Sequence, residues 1–233
     1  SSRALAARDA APADLLAHLR KHRPGLPPQQ GPEPTAAQVA LGRKLFFDRR
    51  LSHNGRVACA SCHVPDQGYT SHELKTPVGI EGRTVRRNAP TLLNVGLLSV
   101  LFQDGRESRL EQQVWAPLLA VNEMGNVSVG AVLARLRGLA EYHRLFEAAF
   151  DGQGPTMETL GAALAAYERT LIAADSDFDR WRNGGPGDAL SPAAKRGFEL
   201  FTGKAGCSAC HEAGGAAPRF TDQAFPNTGV GYR

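Results

Sequence analysis

The sequence lacks a long hydrophobic run. Its longest nearly apolar stretch, residues 89–102, is interrupted by Asn94 and Ser99 and is too short to span a bilayer. It also lacks a run of Lys and Arg with interleaved aromatic residues, although the formal net charge is +4, which argues against a nucleic-acid track. No stretch alternates polar and apolar residues as a strand does. We therefore expect a mainly helical chain without a membrane span.

Cysteine is scarce, and its placement is the strongest signal in the chain. All 4 cysteines stand in two pentapeptides, CASCH at residues 59–63 and CSACH at residues 207–211. Two thiols at i and i+3 can each form a thioether to a haem vinyl group, and the next histidine then lies beneath the iron. The pattern predicts two covalently bound c-type haems, held by Cys59, Cys62 and His63 and by Cys207, Cys210 and His211.

Three other uses of these cysteines are less consistent with the spacing. The two halves of a zinc site are usually close in sequence, and here they lie far apart. A thioredoxin-like redox pair needs one motif and gives no role to the following histidine. A disulfide across two intervening residues closes a very small loop and stabilises little. Because bacteria attach haem to this motif outside the cytoplasm, we expect a periplasmic protein whose N-terminus is already processed.

A weak internal duplication surrounds the two motifs. Residues 42–46 and 197–201 share the pattern Gly-x-x-Leu-Phe, and each copy precedes a Cys-x-x-Cys-His. The same kind of hydroxyl cap comes before each copy, Thr35 in the first and Ser191 in the second. We expect two cytochrome c-like haem domains joined by long loops. Residues 1–34 are read as an N-terminal strap, residues 35–175 as the first haem domain, and residues 176–233 as the start of the second.

Capping residues mark the expected helices. Thr35 with Gln38 forms a capping box before a helix that ends near Asp48. Further starts are expected at three positions: Ser108 with Glu111, Ser128, and Thr156. The second domain has only residues 212–233 after its motif, too few to wall both faces of a haem. We therefore expect a further segment after Arg233, and neither Met124 nor Met157 follows the second motif as an axial ligand for its haem.

Several motifs together resemble the bacterial dihaem cytochrome c peroxidases and their MauG-type relatives, which oxidise tryptophan in a partner protein. The resemblance runs from about Ala36 to Arg233. It rests on both haem motifs and on residues 41–48, 87–91, 104–106 and 167–171.

The resemblance implies roles for residues of this sequence. His63 and His211 are the implied proximal ligands, with the first haem reacting with peroxide and the second relaying electrons. Gln113, Pro117 and Glu123 match the distal pocket, and Glu123 is the expected base, because splitting an O–O bond needs a group that takes a proton and returns it to the leaving oxygen. Asn88 matches a calcium ligand, although an Asn before Ala-Pro is equally typical of a turn.

Two positions depart from the family pattern. Ile80 occupies the place where the peroxidases have a histidine that blocks the first haem, so we expect an open first haem. His72 lies nearby and is read as an exposed loop residue rather than a substitute ligand. Gln103 replaces the tryptophan that usually lies between the haems, which weakens charge sharing through that position. Trp115 and Trp181 are expected in the core or on the surface.

The resemblance leaves three functions open. The first is a peroxidase that reduces hydrogen peroxide with electrons from a small redox protein, either a cytochrome c or a cupredoxin, which the mildly basic surface can steer. The second is a MauG-type enzyme that uses peroxide to oxidise tryptophan on a partner protein. The third, a non-catalytic dihaem electron carrier, requires strong ligands on both faces of both irons, and a pocket of Gln, Pro and Glu argues against it.

Overall fold

A computed structural model of the chain describes residues 10–21, 25–27, 31–226 and 229. The chain divides into two compact units: the first comprises Ser1–Arg20 and Gln29–Ala173, and the second comprises Lys21–Pro28 and Ala174–Arg233. Much of the strap expected over residues 1–34 lies outside the described residues. Within the described part, Pro12–Arg20 forms a helix, α1, whose Leu15 and Leu16 are buried in the core of the first unit.

The described residues are mainly helical, as expected. The first unit has α1, α2 (Ala36–Phe47), α3 (Leu110–Gln113), α4 (Trp115–Leu119), α5 (Val129–Arg137), α6 (Ala140–Ala149) and α7 (Met157–Arg169), and the second has α8 (Asp177–Arg182) and α9 (Pro192–Thr202). In place of strands, the described parts show isolated β-bridges, such as Val64 with Thr70. No helix in these ranges is long and apolar enough to cross a membrane.

Helices α2 and α7 form the centre of the first unit. A Cβ placed on Gly42 would lie 1.8 Å from the carbonyl oxygen of Ala163, so the two backbones touch at this glycine. Phe46 packs against Tyr167 with ring centroids 5.2 Å apart, and both side chains are fully buried. The capping box of Thr35 and Gln38 is present, and the helix ends before Asp48, which confirms the expected bounds.

The expected starts at Ser128 and Thr156 are confirmed, but the one at Ser108 is wrong. Ser128 and Thr156 each accept a backbone N–H of the following helix. Ser108 is not a cap: its own N–H donates to the side chain of Glu107, and the helix begins at Leu110. The helix also breaks at Val114, because Pro117 has no N–H to donate to the carbonyl four residues earlier.

A buried polar clamp holds the segment that follows α4. The amide nitrogen of Asn126 donates to the carbonyls of Leu51 and Leu118, both at 2.8 Å. Its oxygen accepts from Arg135 at 2.9 Å, and Arg135 also reaches the carbonyl of Ser52 at 2.9 Å. These contacts hold the C-terminal end of the 120–126 turn, which carries the expected base.

The second unit is small and lightly packed. Ser176 and Ser191 cap α8 and α9, the latter as the duplication predicts. Its apolar contacts are largely aromatic, with ring centroids 5.2 to 5.9 Å apart among Phe178, Trp181, Phe198, Phe201 and Phe220. Among the described residues of this unit, only Ala213 is buried.

Candidate functional site

The first Cys-x-x-Cys-His folds as a single tight turn. Cys59–Ser61 is one turn of 3-10 helix, and the N–H groups of Cys62 and His63 donate to the carbonyl of Cys59 at 3.2 and 2.9 Å. Both thiols are free. The turn therefore presents two sulfur atoms and an imidazole together, which is the arrangement that the spacing predicts.

The ring of His63 hydrogen-bonds to the carbonyl of Tyr69, and the backbone of Pro90 also acts on it. Its Nδ1 lies 3.1 Å from the carbonyl oxygen of Tyr69 and must carry the proton, because a carbonyl can only accept. Burial lowers the pKa of His63, so the ring is neutral near pH 7. The lone pair of Nε2 is then available to a metal, with Nδ1–H fixing the ring orientation from behind.

A cavity of about 460 Å³ opens beside His63 and Cys62. The predicted pocket residues Gln113, Pro117 and Glu123 all line it. They come from α3, from α4 and from the turn after α4, so the break at Val114 lies between two of the lining residues. A volume of this size is in the range of small-molecule and cofactor sites.

Glu123 is held firmly in this cavity. Its N–H donates to the carbonyl of Ala120 at 3.0 Å, and its own carbonyl accepts the N–H of Ile80 at 2.8 Å. Burial raises the pKa of the Glu123 carboxyl, and the positive charge of Arg106 opposes that rise. The pKa of this carboxyl is therefore closer to neutral pH than that of an exposed glutamate, which suits a group that gives and takes protons.

Three arginines line the same cavity, and the sequence reasoning did not single them out: Arg86, Arg87 and Arg106. Arg87 and Arg106 both contact Asp104 at 2.7 Å, and the hydrogen bonds from these arginines lower the pKa of Asp104. The guanidinium of Arg106 also lies 3.5 Å from the ring centre of Phe102. The signal was present in the RRN and DGR motifs, but only the fold shows that they meet.

Of the two positions that depart from the family pattern, Gln103 lines the cavity and Ile80 does not; the nearby His72 does not line it either. Ile80 is 3% exposed and packs against Gly125, where an added Cβ would lie 2.9 Å from its Cδ1. His72 is exposed, and its backbone N–H donates to the side chain of Gln67 at 2.9 Å. Gln103 does line the cavity, and its amide donates to the carbonyl of Asn88 at 2.7 Å.

The side chain of Asn88 is hydrogen-bonded to backbone groups on both of its polar atoms. Its amide nitrogen donates to the carbonyl of Ser71 at 2.7 Å, and its oxygen accepts the N–H of Ala89 at 2.9 Å. In the described parts of the chain, no three side chains of His, Cys, Asp or Glu cluster as a metal site. Calcium at Asn88 stays a prediction.

The second motif repeats the local geometry of the first. Cys207–Ala209 is again a 3-10 turn, and the N–H of His211 donates to the carbonyl of Cys207 at 3.0 Å. The Nδ1 of His211 lies 3.0 Å from the carbonyl of Phe220. His211 is exposed, and its ring centroid lies 6.2 Å from that of Phe201.

The two tryptophans lie in different surroundings. Trp115 is buried in the core of the first unit, and its Nε1 has no hydrogen-bond partner within the described ranges. Trp181 belongs to the aromatic cluster of the second unit. Both placements agree with the core or surface positions expected from the sequence.

Sequence reasoning missed a pair of buried tyrosines behind His63. The hydroxyls of Tyr69 and Tyr167 lie 3.1 Å apart, and both side chains are fully buried. Tyr69 also supplies the carbonyl that accepts from His63. No local sequence pattern predicts a contact between residues so far apart in the chain.

The residues present fit a c-type haem in the first unit. Free thiols, a neutral imidazole with Nε2 available, and an adjoining cavity that contains acidic and amide side chains are the donor set that the group needs. In the second unit the thiols and the imidazole repeat this set.

Comparisons with known proteins agree with this donor set. The sequence model of the family described as di-haem cytochrome c peroxidase matches residues 36–186. The chain is 42% identical over 233 residues to methylamine utilization protein MauG of Methylorubrum extorquens, covering 99% of this chain and 64% of that protein. It is 40% identical over 199 residues to cytochrome-c peroxidase IdrP1 of Denitromonas iodatirespirans, covering 84% and 51%.

A solved structure gives the same result for the fold. The crystal structure of a MauG-like protein associated with microbial copper homeostasis matches with a TM-score of 0.72 and 32% identity, over 84% of this chain and 59% of that one. The chain thus spans roughly half to two thirds of the length of the proteins it matches.

Proposed function

The chain belongs to the di-haem cytochrome c peroxidase family, and from this we propose that it carries two c-type haems and reacts with hydrogen peroxide at the first. In this proposal the second haem relays electrons. The observation that carries it is the meeting of His63 with Gln113, Pro117 and Glu123 at one cavity.

Each residue of the first site has a role in holding the haem. Cys59 and Cys62 would form the two thioethers, and His63 would bind the iron through Nε2 while its Nδ1–H stays on the carbonyl of Tyr69. The arginines of the cavity would hold the propionate carboxylates, because guanidinium groups bind planar anions. When bound, the haem supplies the iron whose electrons reduce the peroxide.

The protein side chains handle the protons. Glu123 takes a proton from the incoming peroxide and returns it to the oxygen that leaves as water. The amide of Gln113 holds the peroxide by hydrogen bonding, and Pro117 lines the cavity without adding a competing N–H donor. A polar cavity that contains a carboxyl group of this kind supports catalysis over the non-catalytic electron carrier.

The source of the electrons separates two versions of this function. In the first version, a small redox protein supplies the electrons that reduce the peroxide. Oxidation of tryptophan on a partner protein is the second, and Ile80 favours it because no histidine lies at that place to block the iron. Gln103 argues against it. Identities of 42% and 40% to the two kinds of relative do not discriminate between them.

Electron paramagnetic resonance of the oxidised protein, with and without peroxide, tests the proposal. We expect a high-spin first haem that reacts with peroxide directly, because neither Ile80 nor His72 lines the cavity. Two low-spin haems that fail to react until one electron is added would contradict the open site and favour a reductively activated peroxidase. We also propose a periplasmic location, because haem is attached to this motif outside the cytoplasm, and immunodetection of the holoprotein in fractionated cells checks it.

A further inference from the structure

Glu168, in the last turn of α7, is a buried acid to which the proposed chemistry gives no role. It is 5% exposed, and its Oε2 has no hydrogen-bond partner among the described residues. An unpartnered buried carboxylate is costly, so such a group usually becomes neutral or serves a function.

The charges around Glu168 do not offset the cost of burying its carboxylate. Arg169, the next residue, is paired with Glu111 at 2.6 Å, and both side chains of that pair are largely buried. Burial raises the pKa of Glu168 to about 8; Arg169 opposes the rise and Glu111 adds to it. The remaining titratable neighbours, Cys59 and Tyr167, are uncharged at neutral pH, because burial raises the pKa of each above its ordinary value.

Glu168 lies beside the segment that attaches the first haem. It is close enough to Cys59 for its negative charge to add to the effect of burial on that thiol, whose pKa rises to about 12. Its neighbour Tyr167 shares a hydroxyl contact of 3.1 Å with Tyr69, and the carbonyl of Tyr69 holds the ring of His63 at 3.1 Å. The end of α7 is thus tied to the proximal side of the site.

We propose that Glu168 is the proton partner of the first haem, taking up one proton when the iron gains an electron and releasing it when the electron leaves. The inference rests on the proposed haem at Cys59 and Cys62. Reduction converts ferric to ferrous iron with one electron from the reductant, and the carboxylate binds one proton from solvent. The added negative charge of the reduced site favours the neutral acid, and Arg169, the cation that opposes this, is already paired with Glu111.

The coupling has a measurable signature. While Glu168 is ionised in the oxidised protein and protonated in the reduced one, each pH unit changes the reduction equilibrium tenfold, or about 59 mV for one electron. A redox titration monitored by electron paramagnetic resonance separates the two haems. Because the pKa of Glu168 is about 8, the first haem's potential should be nearly constant below about pH 8 and should fall as pH rises above it. Infrared difference spectra should show a protonated carboxyl appearing on reduction.

Matched variants identify the group responsible. Glu168→Gln keeps the shape of the side chain and should abolish both the pH slope and the carboxyl band. Glu158→Gln, on the exposed face of the same helix, should leave both unchanged. Glu123→Gln, which removes the acid of the cavity, should also leave the slope in place.

Several outcomes would overturn the inference. A wild-type potential that does not vary with pH removes it without any variant, which covers the case in which Glu168→Gln fails to fold. A slope that survives in Glu168→Gln removes it as well. A protein that attaches no haem at Cys59 and Cys62 overturns the proposed function itself, whereas one that binds haem, reacts with peroxide and shows no slope overturns the coupling alone.

Discussion

The two haem-attachment segments share one local fold but lie in different surroundings. In both, a 3-10 turn places two thiols beside a histidine whose Nδ1 meets a backbone carbonyl at 3.0 to 3.1 Å. His63 adjoins a cavity walled by residues 77–123, whereas His211 is exposed and only Ala213 is buried among the described residues of its unit. The pentapeptide therefore sets the attachment geometry, and distant segments determine whether a reaction cavity forms beside it.

Exchanging each histidine for alanine is the strongest test of this comparison. We expect His63→Ala to abolish the reaction with peroxide, because the iron would lose its proximal ligand beside the cavity that contains Glu123. His211→Ala should leave the direct reaction of the first haem in place and stop electron supply from the second. Stopped-flow spectra with excess peroxide measure both. Equal losses in the two variants would mean that the sites are not specialised.

The acid of the cavity is expected to have the next largest effect. Glu123→Gln should slow the peroxide reaction about 10²- to 10⁴-fold, the usual contribution of a positioned acid or base. Because burial raises the pKa of Glu123, the wild-type rate should fall as pH drops through that raised pKa, and this acidic limb should vanish in the variant. Glu147→Gln, at an exposed position of the same unit, is the control. A variant with the wild-type rate would remove the base assignment.

The duplicated glycines give a stability test of the same comparison. Gly42→Ala should destabilise the first unit by about 1 to 3 kcal/mol or more, because the new Cβ would lie 1.8 Å from the carbonyl of Ala163. Gly197→Ala meets nothing within 4 Å and should be neutral or stabilising by up to about 1 kcal/mol. Thermal unfolding of the holoprotein measures both. Equal effects would show that the second copy packs as the first does.

The smallest effect is expected from the buried tyrosine pair. Tyr167→Phe removes one hydroxyl of the contact with Tyr69 and should cost about 1 kcal/mol of unfolding free energy, with the haem still attached. Phe178→Leu, in the aromatic cluster of the second unit, serves as the comparison. Chemical denaturation monitored by absorbance measures the unfolding free energy of each variant. An unchanged stability in Tyr167→Phe would mean that water replaces the lost contact.

Local patterns predicted those parts of the structure that depend on neighbouring residues. Thr35, Ser128, Thr156 and Ser191 cap helices because a hydroxyl can reach an N–H three residues ahead. Ser108 has the same pattern, but the prediction there was wrong. The helix begins at Leu110 with Arg109 as its N-cap, and the side chain of Glu107 accepts the N–H groups of Ser108 and Arg109.

Contacts between distant residues were beyond prediction from one sequence. The resemblance selected Gln113, Pro117 and Glu123, and the fold brings them to one cavity with His63. The arginines of that cavity and the acid Glu168 depend on loops and helices meeting across the first unit, which no spacing reveals. Their roles stay proposals.

The packing around Ile80 limits what a single substitution could do to the proposed open first haem. The side chain is directed to Gly125, and a Cβ on Gly79 would lie 2.1 Å from the carbonyl oxygen of Asn122, so the loop is interlocked with the turn that carries Glu123. Ile80→His alone would place an imidazole against that turn, outside the lining of the cavity beside His63. We therefore expect that a blocking ligand at this position needs a different path of the loop as well as the substitution.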